Sequence, residues 1–219
     1  MRSVKYAAIL LILVFLAFIS IFSIKIEGDY TAIIQNNNKQ ELNLILEMTN
    51  NSIANVSSKL WPPEKFYLVA CESDWCYRLF SPFFDKENGE KGSTIFHKII
   101  ALNKKGLNEI IISHEITHVA TKNLKCAKEP RNPIWLEEGL AVIVSGDDRF
   151  SFADFYSASQ VLGIDIDYIK NNPNSWQEIT LINPVVSYGA AEHYVRSILE
   201  RSQEKNIGKA IVQYCKSQT

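Results

Sequence analysis

The sequence predicts an α+β domain with a small sheet and a central histidine-bearing helix, placed after one N-terminal transmembrane helix. Three observations carry this. Two short runs rich in aromatic and β-branched residues, Lys65 to Cys71 and Thr94 to Leu102, read as strands. The longer segments around them space their apolar residues at helical intervals. An uncharged run of 19 residues, Tyr6 to Ile24, precedes all of it.

The chain has 219 residues, 47% of them hydrophobic and 21% charged, with formal net charge −1. That length fits one globular domain plus a targeting segment. The near-neutral balance gives no electrostatic footprint for nucleic acid. Arg2 and Lys5 precede the apolar run, and Lys25 follows it. The run is longer than the roughly 7–15 residues of a signal-peptide core and close to the about 20 that span a bilayer. No clear small-x-small cleavage site follows, so an uncleaved signal anchor is favoured over a cleaved leader. The basic residues before the run set the short N-terminus on the cytoplasmic side. Residues 1–27 are therefore expected to form the anchor, and residues 28–219 a domain outside the cytoplasm.

The elements follow in order. Glu27 to Gln40, with Asn36, Asn37 and Asn38 in a row, reads as a polar spacer. Gln40 to Leu60 carries Leu42, Ile45, Met48, Ile53 and Val56 at mostly helical spacing, and Trp61-Pro62-Pro63 stops it. The strand Lys65 to Cys71 comes next. Asp85 to Gly92 is a charged surface loop, and Thr94 to Leu102 is the second strand. His97 lies in that strand, where a non-catalytic role outweighs that of ligand or substrate contact. Asn103 to Gly106 turns the chain into the next helix. Asn132-Pro133 is a helix start, with Asn as N-cap and Pro at the first helical position, and Gly146 is its stop. Phe152 to Leu162, Ser187 to Leu199 and Gly208 to Cys215 read as helices, with a break at Asn171 to Asn174. Cys71, Cys76, Cys126 and Cys215 are even in number, as an exported domain requires for full pairing. Cys71 with Cys76 and Cys126 with Cys215 is one of three pairings; buried thiols are the alternative.

The chemistry concentrates in Ser113-His114-Glu115-Ile116-Thr117-His118. On a helix, His114 and His118 project from one face, one turn apart, at a spacing that can grip one Zn²⁺. Glu115 leaves the helix about 100° from His114 and about 60° from His118. It is placed to take a proton from water rather than to bind the metal. Leu107, Ile110, Ile111, Ile112, Ile116, Val119 and Ala120 make this helix apolar nearly all round, hence buried. Two histidines and a glutamate in such a helix need partners, and a metal supplies them.

A catalytic zinc takes three protein ligands. The extended motif that draws its third ligand from the same segment is excluded, because Thr121 and Leu124 occupy the Gly and His positions. The remaining source is a Glu on the later helix. There Glu137 and Glu138 stand side by side in an apolar run.

His-Glu-x-x-His followed by Trp135-Leu136-x-Glu138-Gly139-x-Ala141 resembles the gluzincin metallopeptidases, and most closely their minimal bacterial domains behind an export or anchor segment. The resemblance covers His114 to Ala141. It implies a zincin-like fold and a zinc-dependent peptidase acting on a peptide or protein substrate. It also implies Glu138 as third zinc ligand, with Glu137 as the variable neighbour. The glycine-rich exopeptidase signature of the aminopeptidases is absent, so an endopeptidase is expected. In the resembling domains a tyrosine opens a C-terminal helix beside the metal. Tyr188 fits that position as an oxyanion donor, and His193 is a weaker candidate. A second reading keeps the metal and drops the catalysis: a zinc-stabilised envelope scaffold or assembly factor.

Overall fold

The computed structural model describes residues 21–35, 38–81, 91–126, 133–150, 152–164 and 175–218. It is α+β, with a five-stranded sheet packed against helices. The strands are β1 (Ser23–Ile26), β2 (Tyr30–Ile34), β3 (Phe66–Ala70), β4 (Gly92–Ile95) and β5 (Ile99–Leu102). Their order is β1-β2-β3-β5-β4, with β2, β3 and β5 parallel and both edge strands antiparallel. The helices are α1 (Lys39–Lys59), α2 (Asp74–Phe80), α3 (Glu109–Ala120), α4 (Ile134–Ser145), α5 (Phe152–Leu162), α6 (Ser175–Ile182), α7 (Pro184–Arg201) and α8 (Ile207–Gln218).

One face of the sheet makes the main core. Ala32, Ile34, Leu68, Ala70, Ile100 and Leu102 are almost wholly buried there, in one cluster with Ile112, Ile116 and Val119 of α3. α1 backs both α3 and α4. Asn55 and Lys59 donate to the carbonyl of Val144 at 3.0 and 2.6 Å, satisfying a helix-terminal acceptor. Asn108 caps α3 by accepting from the amide of Ile111 at 3.1 Å. Gly146 ends α4 with φ of 72°, the left-handed stop its sequence predicts.

Several expectations are corrected. The polar spacer contains β2: Tyr30-Thr31-Ala32-Ile33-Ile34 is a strand pattern that the asparagine run masks. The single strand from Thr94 to Leu102 is a hairpin. Phe96 and His97 both have positive φ, at 53° and 50°, and the amide of Lys98 donates to the carbonyl of Ile95 at 3.0 Å. Two left-handed residues are what a two-residue hairpin loop demands, but neither is the usual Gly or Asn. α4 begins one residue later than read, with Pro133 at the N-cap position; Asn132 lies outside the described residues. α6 and the short α2 were not anticipated.

The apolar run lies outside the described residues up to Ser20. Its last two residues do not: Ser23 and Ile24 are in β1, which pairs with β2. The boundary expected between residues 27 and 28 thus falls between two paired strands. Among the described residues no helix is long and apolar enough to cross a membrane. The loop read at Asp85 to Gly92 lies outside the described residues up to Glu90, and Gly92 opens β4. The cysteines form two disulfides, Cys71–Cys76 and Cys126–Cys215, the second joining the segment after α3 to α8.

Candidate metal centre

α3 presents His114 and His118 on one face, as the helical period requires. Their rings stand edge to face, 5.2 Å apart. α4 crosses α3 and brings Glu138 to them. Oε2 of Glu138 lies 3.3 Å from Nε2 of His114 and 3.6 Å from Nε2 of His118. One donor atom from each of the three residues falls within 4.8 Å of the others, so the group could hold a metal ion. All three side chains are largely buried. Two imidazole nitrogens and a carboxylate oxygen are a donor set that suits zinc. Glu138, not Glu137, faces the histidines, which settles geometrically the choice that spacing left open.

The electrostatics fit a site made for a cation. Burial alone would lower the pKa of His118, but the Glu138 carboxylate overrides it and raises the value to about 9. Burial would raise Glu138, yet the two histidines hold its carboxyl well below the usual range. Without a metal, His118 therefore carries the proton that Glu138 demands.

The close crossing of α4 with α7 depends on Gly139. A Cβ there would lie 2.3 Å from the carbonyl oxygen of Ala191. Trp135 braces the same pair of helices through an edge contact with Tyr194 at 5.9 Å.

Glu115 is buried beside the triad but not in it. The hydroxyl of Thr94 donates to its Oε2 at 2.7 Å, from the edge strand β4. A Cβ on Gly92 would come 3.0 Å from Oε1 of Glu115, so this glycine leaves room for the carboxylate. His97, expected inside a strand, instead sits on the hairpin turn. Its Nδ1 lies 2.7 Å from the carbonyl oxygen of His118. Only an N–H can donate to a carbonyl, so Nδ1 carries the proton, leaving Nε2 as an acceptor when the ring is neutral.

These residues line one open cleft of about 200 Å3, with Gly92, Ser93, Thr94 and His97 along one wall and Glu137, Glu138 and Tyr188 along the other. Tyr188 is held from behind. Its ring stacks on Phe150 at 4.7 Å and meets Trp176 edge-on at 5.6 Å, with its centroid 6.2 Å from that of His114. Phe150 in turn lies beneath Arg149, which is paired with the buried Asp147. His193 does not line the cleft and packs against Phe155 and Tyr194 instead. Thr94 and Gly92 carry no sequence signal for their part. Only the fold of the hairpin onto α3 brings them to Glu115.

Comparison with protein-family models gave no match, and comparison with curated proteins gave none.

Proposed function

We propose that the protein is a membrane-anchored zinc metallopeptidase of the gluzincin type, an endopeptidase with a zincin-like fold. The observation that carries this reading is the convergence of Glu138 on His114 and His118, with Glu115 beside them and outside the ligand set. A scaffold needs the ligands but has no use for a buried carboxylate held at the mouth of the cleft by Thr94.

A zinc ion held by His114, His118 and Glu138 would supply an acidified water and charge stabilisation for the scissile carbonyl oxygen. Glu115 accepts the proton of the attacking water and passes it to the leaving amine. Thr94 fixes the orientation of that carboxylate. Tyr188 donates a hydrogen bond to the oxyanion as it forms. The outer edge of β4 offers unpaired backbone groups to an extended peptide, the mode by which a substrate adds a strand to a sheet. The two disulfides support placing the domain outside the cytoplasm, where such bonds persist. Arg2 and Lys5 put the short N-terminus on the cytoplasmic side of the anchor.

The test is a peptide-library digest by the purified full-length chain, before and after chelation and after zinc is returned. Cleavage inside peptides that is lost on chelation and restored by zinc is the expected result. Zinc-loaded protein that cleaves nothing in the library would favour the scaffold.

A further inference from the structure

The two faces of the sheet differ. Neighbouring residues of a strand point to opposite faces. Ala32, Leu68 and Ile100 face the helices and are buried. The register sets Ile26, Thr31, Tyr67, Ile99 and Ile95 side by side on the opposite face, across all five strands. α2 covers one end of that face, where Phe22, Val69, Cys71 and Ala101 form a second, small cluster with it. The remainder is uncovered. Ile26 is 83% exposed and Phe96, at the hairpin tip, is 80% exposed, with Ile24 and Tyr67 also exposed on the sheet. Trp75 of α2 is exposed too, and its ring meets Phe22 edge-on at 6.1 Å, which joins α2 to the start of β1.

Exposed apolar side chains grouped on one face mark a binding surface. The chain that leads to it says what covers it. The uncharged run from Tyr6 ends inside the sheet, because Ser23 and Ile24 are already paired with Ile34 and Ile33. No spacer separates the run from β1. A run that crosses a bilayer would therefore deliver this sheet directly to the lipid surface. Tryptophan and other aromatic side chains are what an interfacial surface carries. Arg78 and Lys98 are exposed nearby in sequence, but so is Asp74. With both signs present, the apolar interface rather than anionic headgroups is the better match.

We propose that the outer face of the sheet, from Trp75 through Ile24 and Ile26 to Phe96, lies against the bilayer that the N-terminal run enters. His97, the next residue after Phe96, lines the cleft. The docked hairpin thus sets one wall of the cleft at the membrane surface. This extends the membrane-anchored reading and rests on its anchor, not on its chemistry.

The experiment uses the full-length protein in phosphatidylcholine nanodiscs, with and without lipid brominated on the acyl chains. The chain has four tryptophans, and none lies before Trp61. Trp135 and Trp176 are buried, so Trp75 reports the face. Brominated lipid should quench wild-type emission, and Trp75→Phe should remove most of the quenched part. In that background Phe96→Trp, or Ile26→Trp should the first variant fold poorly, should restore quenching. Val161→Trp, exposed on α5 in the helical layer, should not. Protein that resists carbonate extraction but shows no quenching at positions 75, 96 and 26 overturns the docking and leaves the anchor intact. Equal quenching at position 161 also overturns it, by removing the orientation. Release by carbonate overturns both anchor and docking, whatever the peptidase assay shows.

Discussion

Glu138 and Glu137 are neighbours on α4, yet it is Glu138 that stands 3.3 and 3.6 Å from the two imidazoles. Glu138→Ala should therefore weaken zinc binding by at least about 100-fold, since even outer hydrogen-bond partners of a ligand are worth about 10–100-fold. Glu137→Ala should bind zinc as wild type does; equilibrium titration against a competing chelator checks both. The site also sets a pH dependence. In the metal-free protein the pKa of His118 is raised from 6.5 to about 9, so the stabilisation from its pairing is complete below about 6.5 and is lost as pH rises through about 9. Glu138 is shifted the other way, so its contribution is present above its ordinary value of 4.5 and is lost on acidification. Zinc must displace the His118 proton, so its apparent affinity should rise about tenfold per pH unit up to about 9. Melting curves from pH 5 to 9 should show the gap between zinc-loaded and chelated protein widening with pH. The histidine pair was legible in the sequence because helical spacing is local. The clamp from Thr94 to Glu115 was not, because it joins residues 21 apart in sequence through the packing of a hairpin on a helix.

At the scale of elements, the helices that build the site read well and the strands around it did not. α3 and α4 announce themselves by apolar periodicity, a capping Asn108 and a terminating Gly146. The β4–β5 turn is hidden because Phe96 and His97 take left-handed conformations that bulky residues avoid, at a cost of about 1–3 kcal/mol each. β1 is hidden because its first two residues continue the apolar run. Gly139 is legible as part of the Trp-Leu-x-Glu-Gly frame, but its reason is tertiary: α7 passes within contact of its bare Cα. Gly139→Ala should force α7 away from α4. We expect it to destabilise the protein by about 1–3 kcal/mol, as overpacking does, and to weaken zinc binding because Glu138 is the preceding residue. Chemical denaturation and zinc titration of the same variant measure both.

The whole molecule begins at β1, not after it. A soluble form starting at residue 21 keeps Phe22 in its cluster and β1 on β2. A form starting at residue 28 loses both and bares the edge of β2, a ready site for aggregation. The shorter form should melt at a lower temperature and aggregate more readily, and calorimetry with light scattering on the two forms decides it. The parts of the molecule then converge on one task. The sheet edge can receive a peptide, α3 and α4 can hold the metal, and α7 contributes Tyr188 beside them. Tyr188→Phe should reduce turnover by about 10²–10³-fold if its phenol meets the oxyanion, with little change in substrate affinity if that contact forms mainly in the transition state. The most direct test of the account is the turnover of a cleaved peptide by wild type and by Glu115→Gln at matched zinc content. Gln is nearly isosteric and Glu115 is outside the ligand set, so zinc and fold should be kept. The neutral amide cannot take the proton of the attacking water, so the account predicts a loss of about 10²–10⁴-fold in rate. Wild-type turnover by zinc-loaded Glu115→Gln would contradict it.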